Sequence, residues 1–268
     1  MKDFTPTART KIKRLPKRAR YDRDTVYSIL DAGFICHIGY VIDKHPFVTP
    51  TAYWREGDAV YWHGSSKSRM LMALEKSPGV CLTVMHLDGL VVARSGFHKS
   101  INYRSVMMFG KAYKVTEPEE KLAKMEKFVE RLYPGRWKEL RPVNKQELKA
   151  TTVLGMHIEE AVAKVRTGGP VDEEEDYALP IWAGVVPVRQ VLGEPVDDGR
   201  VAKGAPGAPR STASAICAVF TPPVWKTMRR VFTQSDAAQG PAGSTASAAR
   251  RRQDSAGASR SAPRRKPR

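Results

Sequence analysis

Hydrophobic and polar positions alternate over several short stretches of this chain. Phe34, Cys36, Ile38 and Tyr40 share one side of a period-two pattern, with His37 and Gly39 between them, and predict a strand over 34–42. A polar turn at 43–46 leads to a second strand over 47–55, and Glu56, Gly57 and Asp58 to a third over 59–63. An apolar run predicts a strand over 80–87, and Asp88-Gly89 reads as a hairpin turn into a partner over 90–94. Further strands are expected over 103–115, bent at Gly110, over 153–165, and last over 181–192.

Helical spacing interrupts this series at four places. Asp22 is placed to cap a helix over 23–32 with Val26, Ile29 and Leu30 on its apolar side. A second helix is predicted over 67–76, with Met70, Leu71 and Leu74 inward and a stop at Pro78-Gly79. Pro118 opens a third, followed by Glu119 and Glu120 in its favoured acidic first turn; it runs to about residue 133. A helical turn or two is expected over 144–150. Short strands with tight loops and a few helices give a predominantly β, α+β fold: a small closed barrel with helices at its periphery, which leaves few open sheet edges.

Charge divides the chain into three. The formal net charge is +17. Residues 1–20 carry eight basic side chains and one acidic, and residues 199–268 carry fourteen and two. The middle, 21–198, is close to neutral, as in an ordinary enzyme or ligand-binding domain. The expected organisation is therefore a flexible basic arm over 1–20, one domain over 21–198, and a basic, low-complexity tail over 199–268. Within that tail, 225–232 is a short basic amphipathic patch. Cys36, Cys81 and Cys217 are odd in number and widely spaced, with no CxxC pair, so neither a disulfide framework nor a zinc site is indicated. No apolar leader or membrane-length run is visible, and a cytoplasmic location is expected.

The densest chemistry lies in Tyr61-Trp62-His63-Gly64-Ser65-Ser66-Lys67-Ser68-Arg69-Met70-Leu71. A strand ends, the chain turns, and a helix opens with hydroxyls and two cations around its first turn. Helix starts present unpaired N–H groups and the positive end of the dipole, so this stretch suits an anion. Read alone, it is equally a helix start capped by Ser65 or Ser66 with two solvent-facing cations. The stretch 94–105 is a second polar concentration, either a solvated crossover or a loop that closes on a ligand with Arg104 as a bidentate donor. Thr49-Pro50-Thr51 marks an edge strand, because proline removes a ladder bond. The acidic run 172–176 is a solvated face or a partner for the basic stretch of a second subunit. Dinucleotide, Walker, serine-nucleophile and HExxH signatures are absent, and the six histidines never recur at i,i+4.

Taken in order, these stretches resemble the pyridoxamine 5′-phosphate oxidase-like, FMN-binding split-barrel superfamily, and within it the flavin–nucleotide-binding branch that includes nitroimidazole-resistance reductases. The similarity runs from about residue 21 to 191. It implies a split β-barrel binding FMN, with His63, Gly64, Ser65, Lys67, Ser68 and Arg69 on the ribityl phosphate. Thr49, Pro50 and Thr51 would lie along the ring system. It also implies a homodimer with the flavin between subunits, Asn102, Tyr103, Arg104 and Trp182 completing the site. The expected activity is NAD(P)H-linked reduction of a small aromatic or nitro compound through flavin N5. Alternatives are a non-catalytic flavin carrier or sensor, and a haem-binding relative using His37, His63 or His98. A further alternative is weak, non-specific nucleic-acid binding by the basic ends, with no membrane partner in any case.

Overall fold

A computed structural model describes residues 2–205 and 207. The expectations for residues 208–268, including Cys217 and the 225–232 patch, fall outside the described residues. Strands β1 (Ala19–Arg20), β2 (Ile35–Ile42), β3 (His45–Glu56), β4 (Ala59–Ser65), β5 (Val80–Val92), β6 (Ser100–Gly110), β7 (Ala112–Lys114), β8 (Thr151–His157), β9 (Glu160–Arg166) and β10 (Gly184–Pro187) form one sheet. Its order is β1-β9-β6-β5-β2-β3-β4-β8-β7, with β10 added to β5, and every pairing is antiparallel.

Alternation along the strands builds the core. Cys36, Ile38, Tyr53, Trp62, Leu82, Val84, Val106, Met108, Leu154 and Met156 turn inward together. Helix α1 (Arg23–Asp31) adds Val26, Ile29 and Leu30, and α2 (Arg69–Lys76) adds Leu71 and Leu74. On the opposite face of β4 and β8 a second cluster joins Trp54, Ala59, Tyr61, Val115 and Val153. It is covered by Met125 and Phe128 of α3 (Pro118–Leu132). A short α4 (Lys145–Ala150), with a capping box between Asn144 and Glu147, leads into β8. The result is a predominantly β barrel with peripheral helices, as the sequence predicts.

Three local expectations need correction. The region 80–94 is not a hairpin. β5 runs straight through Asp88-Gly89 and pairs continuously with β6, with a bulge between Leu87 and Gly89. A bulge accommodates the extra residue while the long partner strand supplies the ladder bonds that a turn would have removed. The single strand expected over 153–165 is two, because the chain turns at 158–159 and β9 crosses to β6. The strand over 103–115 divides after Gly110. A side chain there would meet the His157 carbonyl oxygen at 2.2 Å, so only glycine permits the close approach of the two segments.

The arm expected over 1–20 packs onto the barrel in the described residues. Phe4 is 6% exposed in the main core, its N–H donates to Tyr21 O at 2.9 Å, and the Arg23 guanidinium lies 4.3 Å from its ring centre. Thr7 and Arg9 bond to Glu160. A single aromatic residue, one hydroxyl and one guanidinium anchor a segment that charge counting alone marks as solvated.

Candidate functional site

The two hairpin arms of β3 behave differently. Residues 45–52 pair with β2, whereas only 53–56 pair with β4. β4 continues instead along β8 through Ser65. β3 therefore has an unpaired edge over 45–52, facing the place where β4 ends and α2 begins. This divergence is the split of the barrel.

Helix α2 starts later than the sequence suggests. Ser68, rather than Ser65 or Ser66, is its N-cap, its hydroxyl accepting from Leu71 N at 3.4 Å. Ser65 shapes the preceding turn by accepting the Lys67 N–H at 3.2 Å. The N–H groups of Arg69 and Met70 fall at the first helical positions, which have no intrahelical acceptor. Lys67 is exposed, and no carboxylate among the described residues pairs with it or with Arg69. The Arg69 guanidinium lies 5.2 Å from the Phe47 ring centre, tying the helix start to β3.

Period-two alternation sorts the predicted residues. Phe47, Thr49 and Thr51 share one face of β3. There the Thr49 hydroxyl lies 3.0 Å from that of Tyr40, and Tyr40 stacks on Phe47 with centres 5.6 Å apart. Pro50 is exposed on the other face, opposite His37. Gly64 turns toward α2, where a side chain would crowd Leu71 at 3.2 Å. His63 turns the opposite way, under α3. Its ring centre lies 4.6 Å from Phe128 and 6.1 Å from Trp54, and its Nδ1 is buried without a partner. Burial lowers its pKa below the usual imidazole value. Thr49 and Thr51 thus share the β3 face that Arg69 approaches through Phe47, with Ser65, Lys67 and Ser68 in the turn that opens α2, while His63 leaves the group.

The remaining predicted residues lie on other elements. Asn102 is 2% exposed; its Nδ2 donates to Gly168 O at 3.0 Å and its Oδ1 accepts from Arg166. Arg104 is already engaged, its Nε and Nη2 each 2.9 Å from an Asp88 carboxylate oxygen. That bidentate pair crosses the β5 bulge, a non-local contact with no sequence signal, and it takes up the charge read as a phosphate donor. Tyr103 lies on the outer face of β6, opposite Arg166 of β9. Trp182 is 65% exposed beside Gly184. The acidic run is used within the chain: Asp172 accepts from Arg94 N and Nη1, both at 3.1 Å, and Glu173 lies 3.3 Å from His98. Tyr40 and Phe47, which line the β3 face, are the contributors that sequence reading missed, because their spacing marks only a strand.

No helix among the described residues is long and apolar enough to cross a membrane. A sequence search of curated proteins finds no match. Among solved structures, the flavocytochrome Anf3 from Azotobacter vinelandii is similar at 48% identity. The match covers 79% of this chain and 98% of that one, with a TM-score of 0.75. An FAD- and haem-binding protein from Mycobacterium smegmatis is similar at 33% identity, with 75% and 97% coverage and a TM-score of 0.69. The family model described as pyridoxamine 5′-phosphate oxidase matches residues 22–165, more than half of the chain. With its antiparallel barrel split between β3 and β4, the chain belongs to the pyridoxamine 5′-phosphate oxidase family.

Proposed function

We propose that this protein is a flavin-dependent oxidoreductase whose flavin phosphate rests on the start of α2. The observation that carries the reading is the pair of cations Lys67 and Arg69, without carboxylate partners among the described residues, beside the open edge of β3. A helix N-terminus with two added cations is matched to a phosphate dianion. The Thr49 and Thr51 hydroxyls on the adjoining face supply polar contacts for the rim of a flat ring system. A flavin brings hydride and electron transfer of its own, leaving the chain to bind and orient it, which suits a site without a nucleophile or a general base. FMN is the form the family resemblance implies, and the FAD named for the mycobacterial relative makes the dinucleotide the competing form. A nicotinamide donor and a small aromatic or nitro acceptor complete the reading; a flavin carrier without turnover is the other outcome.

A second reading adds a haem, because both similar proteins are named for flavin and haem together. Of the three histidines with axial potential, His98 faces Glu173 and His37 is exposed on the sheet. His63 is held neutral by burial and has a free ring nitrogen, the state in which imidazole ligates iron. We also propose a homodimer. Ile35, Val41, Val48 and Met85 are exposed together on the outer face of β2, β3 and β5, at 45–69%.

The test is an absorbance spectrum of the purified full-length protein with the released cofactor identified by mass. A flavin spectrum that is lost in Lys67→Ala/Arg69→Ala, with the fold retained by circular dichroism, supports the reading. A protein that neither carries nor takes up FMN or FAD overturns it. A Soret band that disappears in His63→Ala supports the haem.

A further inference from the structure

A second concentration of positive charge lies on β9 and the segment leading into β1, away from α2. Arg166 ends β9, and its guanidinium is held entirely by neutral acceptors: Asn102 Oδ1, Gly168 O at 3.4 Å and Gly169 O at 3.2 Å. Those bonds fix its direction without cancelling its charge. Arg18 closes the 3-10 turn Pro16–Arg18, which packs on β9; burial first, and then the Arg18 charge, disfavours the protonated state of Arg166. No carboxylate among the described residues pairs with either arginine. Lys164 lies two residues back on the same strand face as Arg166, opposite Ala19 of β1 and Ser105 of β6.

The backbone holds this arrangement under strain. Leu15, which precedes the 3-10 turn, is left-handed at φ 57° although it is not glycine, and it is 46% exposed. Such conformations cost roughly 1–3 kcal/mol and persist where the surrounding structure demands them. Here the left-handed residue stands immediately before the 3-10 turn that packs on β9. Two like charges close together, with no carboxylate paired to either among the described residues, favour the binding of an anion. Planar guanidinium forks match phosphoryl oxygens better than any other common anion surface. Tyr103, directly across from Arg166 on β6 and half-buried, adds an aromatic ring beside the cations.

We propose that Arg18 and Arg166, with Lys164 and Tyr103, form a second anion site that takes the phosphate of a nucleotide. Guanidinium donors hold the phosphoryl group and the tyrosine ring packs on the base or sugar. The site is independent of the helix-start cations and deepens the flavin reading, on which its redox meaning rests. The same chemistry has two sources: the adenylate half of a dinucleotide flavin, or a separate nucleotide such as a nicotinamide dinucleotide.

The test is calorimetric titration of the full-length protein, in its purified holo form, with ADP and with inorganic phosphate. The variants are Arg18→Ala and Arg166→Gln. Arg18→Ala removes a side chain without a hydrogen-bonded partner among the described residues, so it keeps the test valid if Arg166→Gln fails to fold. Loss of one charge-assisted contact is expected to weaken ADP binding by about tenfold. Flavin content by absorbance should stay unchanged if the source is a separate nucleotide. A shift of the extracted cofactor from FAD to FMN in Arg18→Ala identifies the flavin's own adenylate as the source. Wild-type protein that binds neither ADP nor phosphate and whose extracted cofactor is the same in Arg18→Ala, or ADP binding untouched by Arg18→Ala, overturns the proposal. So does an Arg18→Ala effect seen on duplex DNA and not on ADP. Failure of the flavin reading is separate, since it shows as a colourless protein whatever ADP does.

Discussion

His86 shows how far one residue's surroundings decide its behaviour. Its ring projects into the space that a side chain at Gly33 would fill, 2.5 Å from that position, and Nε2 lies 3.0 Å from Ile29 O. A carbonyl only accepts, so Nε2 carries the proton and the neutral tautomer is assigned by its partner. Burial, assisted by the Arg104 charge, lowers the pKa below the unfolded value of 6.5, against smaller raising effects of the Ile29 bond and Asp88. The unfolded state then binds the proton more readily than the native state. This contribution to stability is full above pH 6.5 and is lost as pH falls below it. The urea midpoint should drop between pH 7.5 and 5.5. His86→Gln, which retains a donor for Ile29 O, should flatten that drop; an unchanged slope would remove His86 from the account. Arg104 carries the same lesson for charge: a guanidinium that reads as a ligand donor is consumed by Asp88.

At the scale of elements, α2 depends on its first turn. Ser68 supplies the cap, and because its bond to Leu71 N is long, Ser68→Ala should cost ~0.5–1 kcal/mol of apoprotein stability, at the low end for N-caps. Chemical denaturation measures it, and a loss above about 2 kcal/mol would mean that Ser68 has a structural role beyond capping. The helices were legible because their signals are local: Asp22 caps α1, Pro118 opens α3, and Asn144 caps α4. Strand ends were less so. Asp88-Gly89 has hairpin chemistry, yet β6 is long enough to keep β5 extended through it, and ladder pairing outweighs turn preference.

The whole molecule is held together by contacts between distant parts of the chain. Phe4 joins the core beside Tyr27, with ring centres 6.4 Å apart, and under Arg23. Phe4→Ala should cost about 3 kcal/mol, the lower part of the range for a buried phenylalanine. It should lower the melting temperature of the full-length protein, and an unchanged melting temperature would show that the N-terminal segment is dispensable. On the outer sheet face, Val48→Glu places a charge in the proposed dimer contact. Sedimentation should give a mass near twice 29.8 kDa for the wild type and near 29.8 kDa for the variant. A wild-type monomer would exclude that interface.

The sequence by itself determined the barrel's raw material: alternating strands, capped helices, and a helix start furnished with Lys67, Ser68 and Arg69. Those signals depend on the nearest few residues, through backbone preference and one-sided burial. Only the tertiary structure decided which chemistry survives together. Strand parity turned His63 away from Lys67 and sent Pro50 to the opposite face from Thr49 and Thr51. Asp88 took Arg104, Gly168 took Asn102, and Glu160 with the core took the N-terminal arm. The contacts of Arg104, Asn102 and the arm are pairings between residues on different elements, set by the order in which strands meet across the sheet and absent from any local pattern. The parity of His63 and Pro50 is local, but the register and helix packing that give it meaning are not.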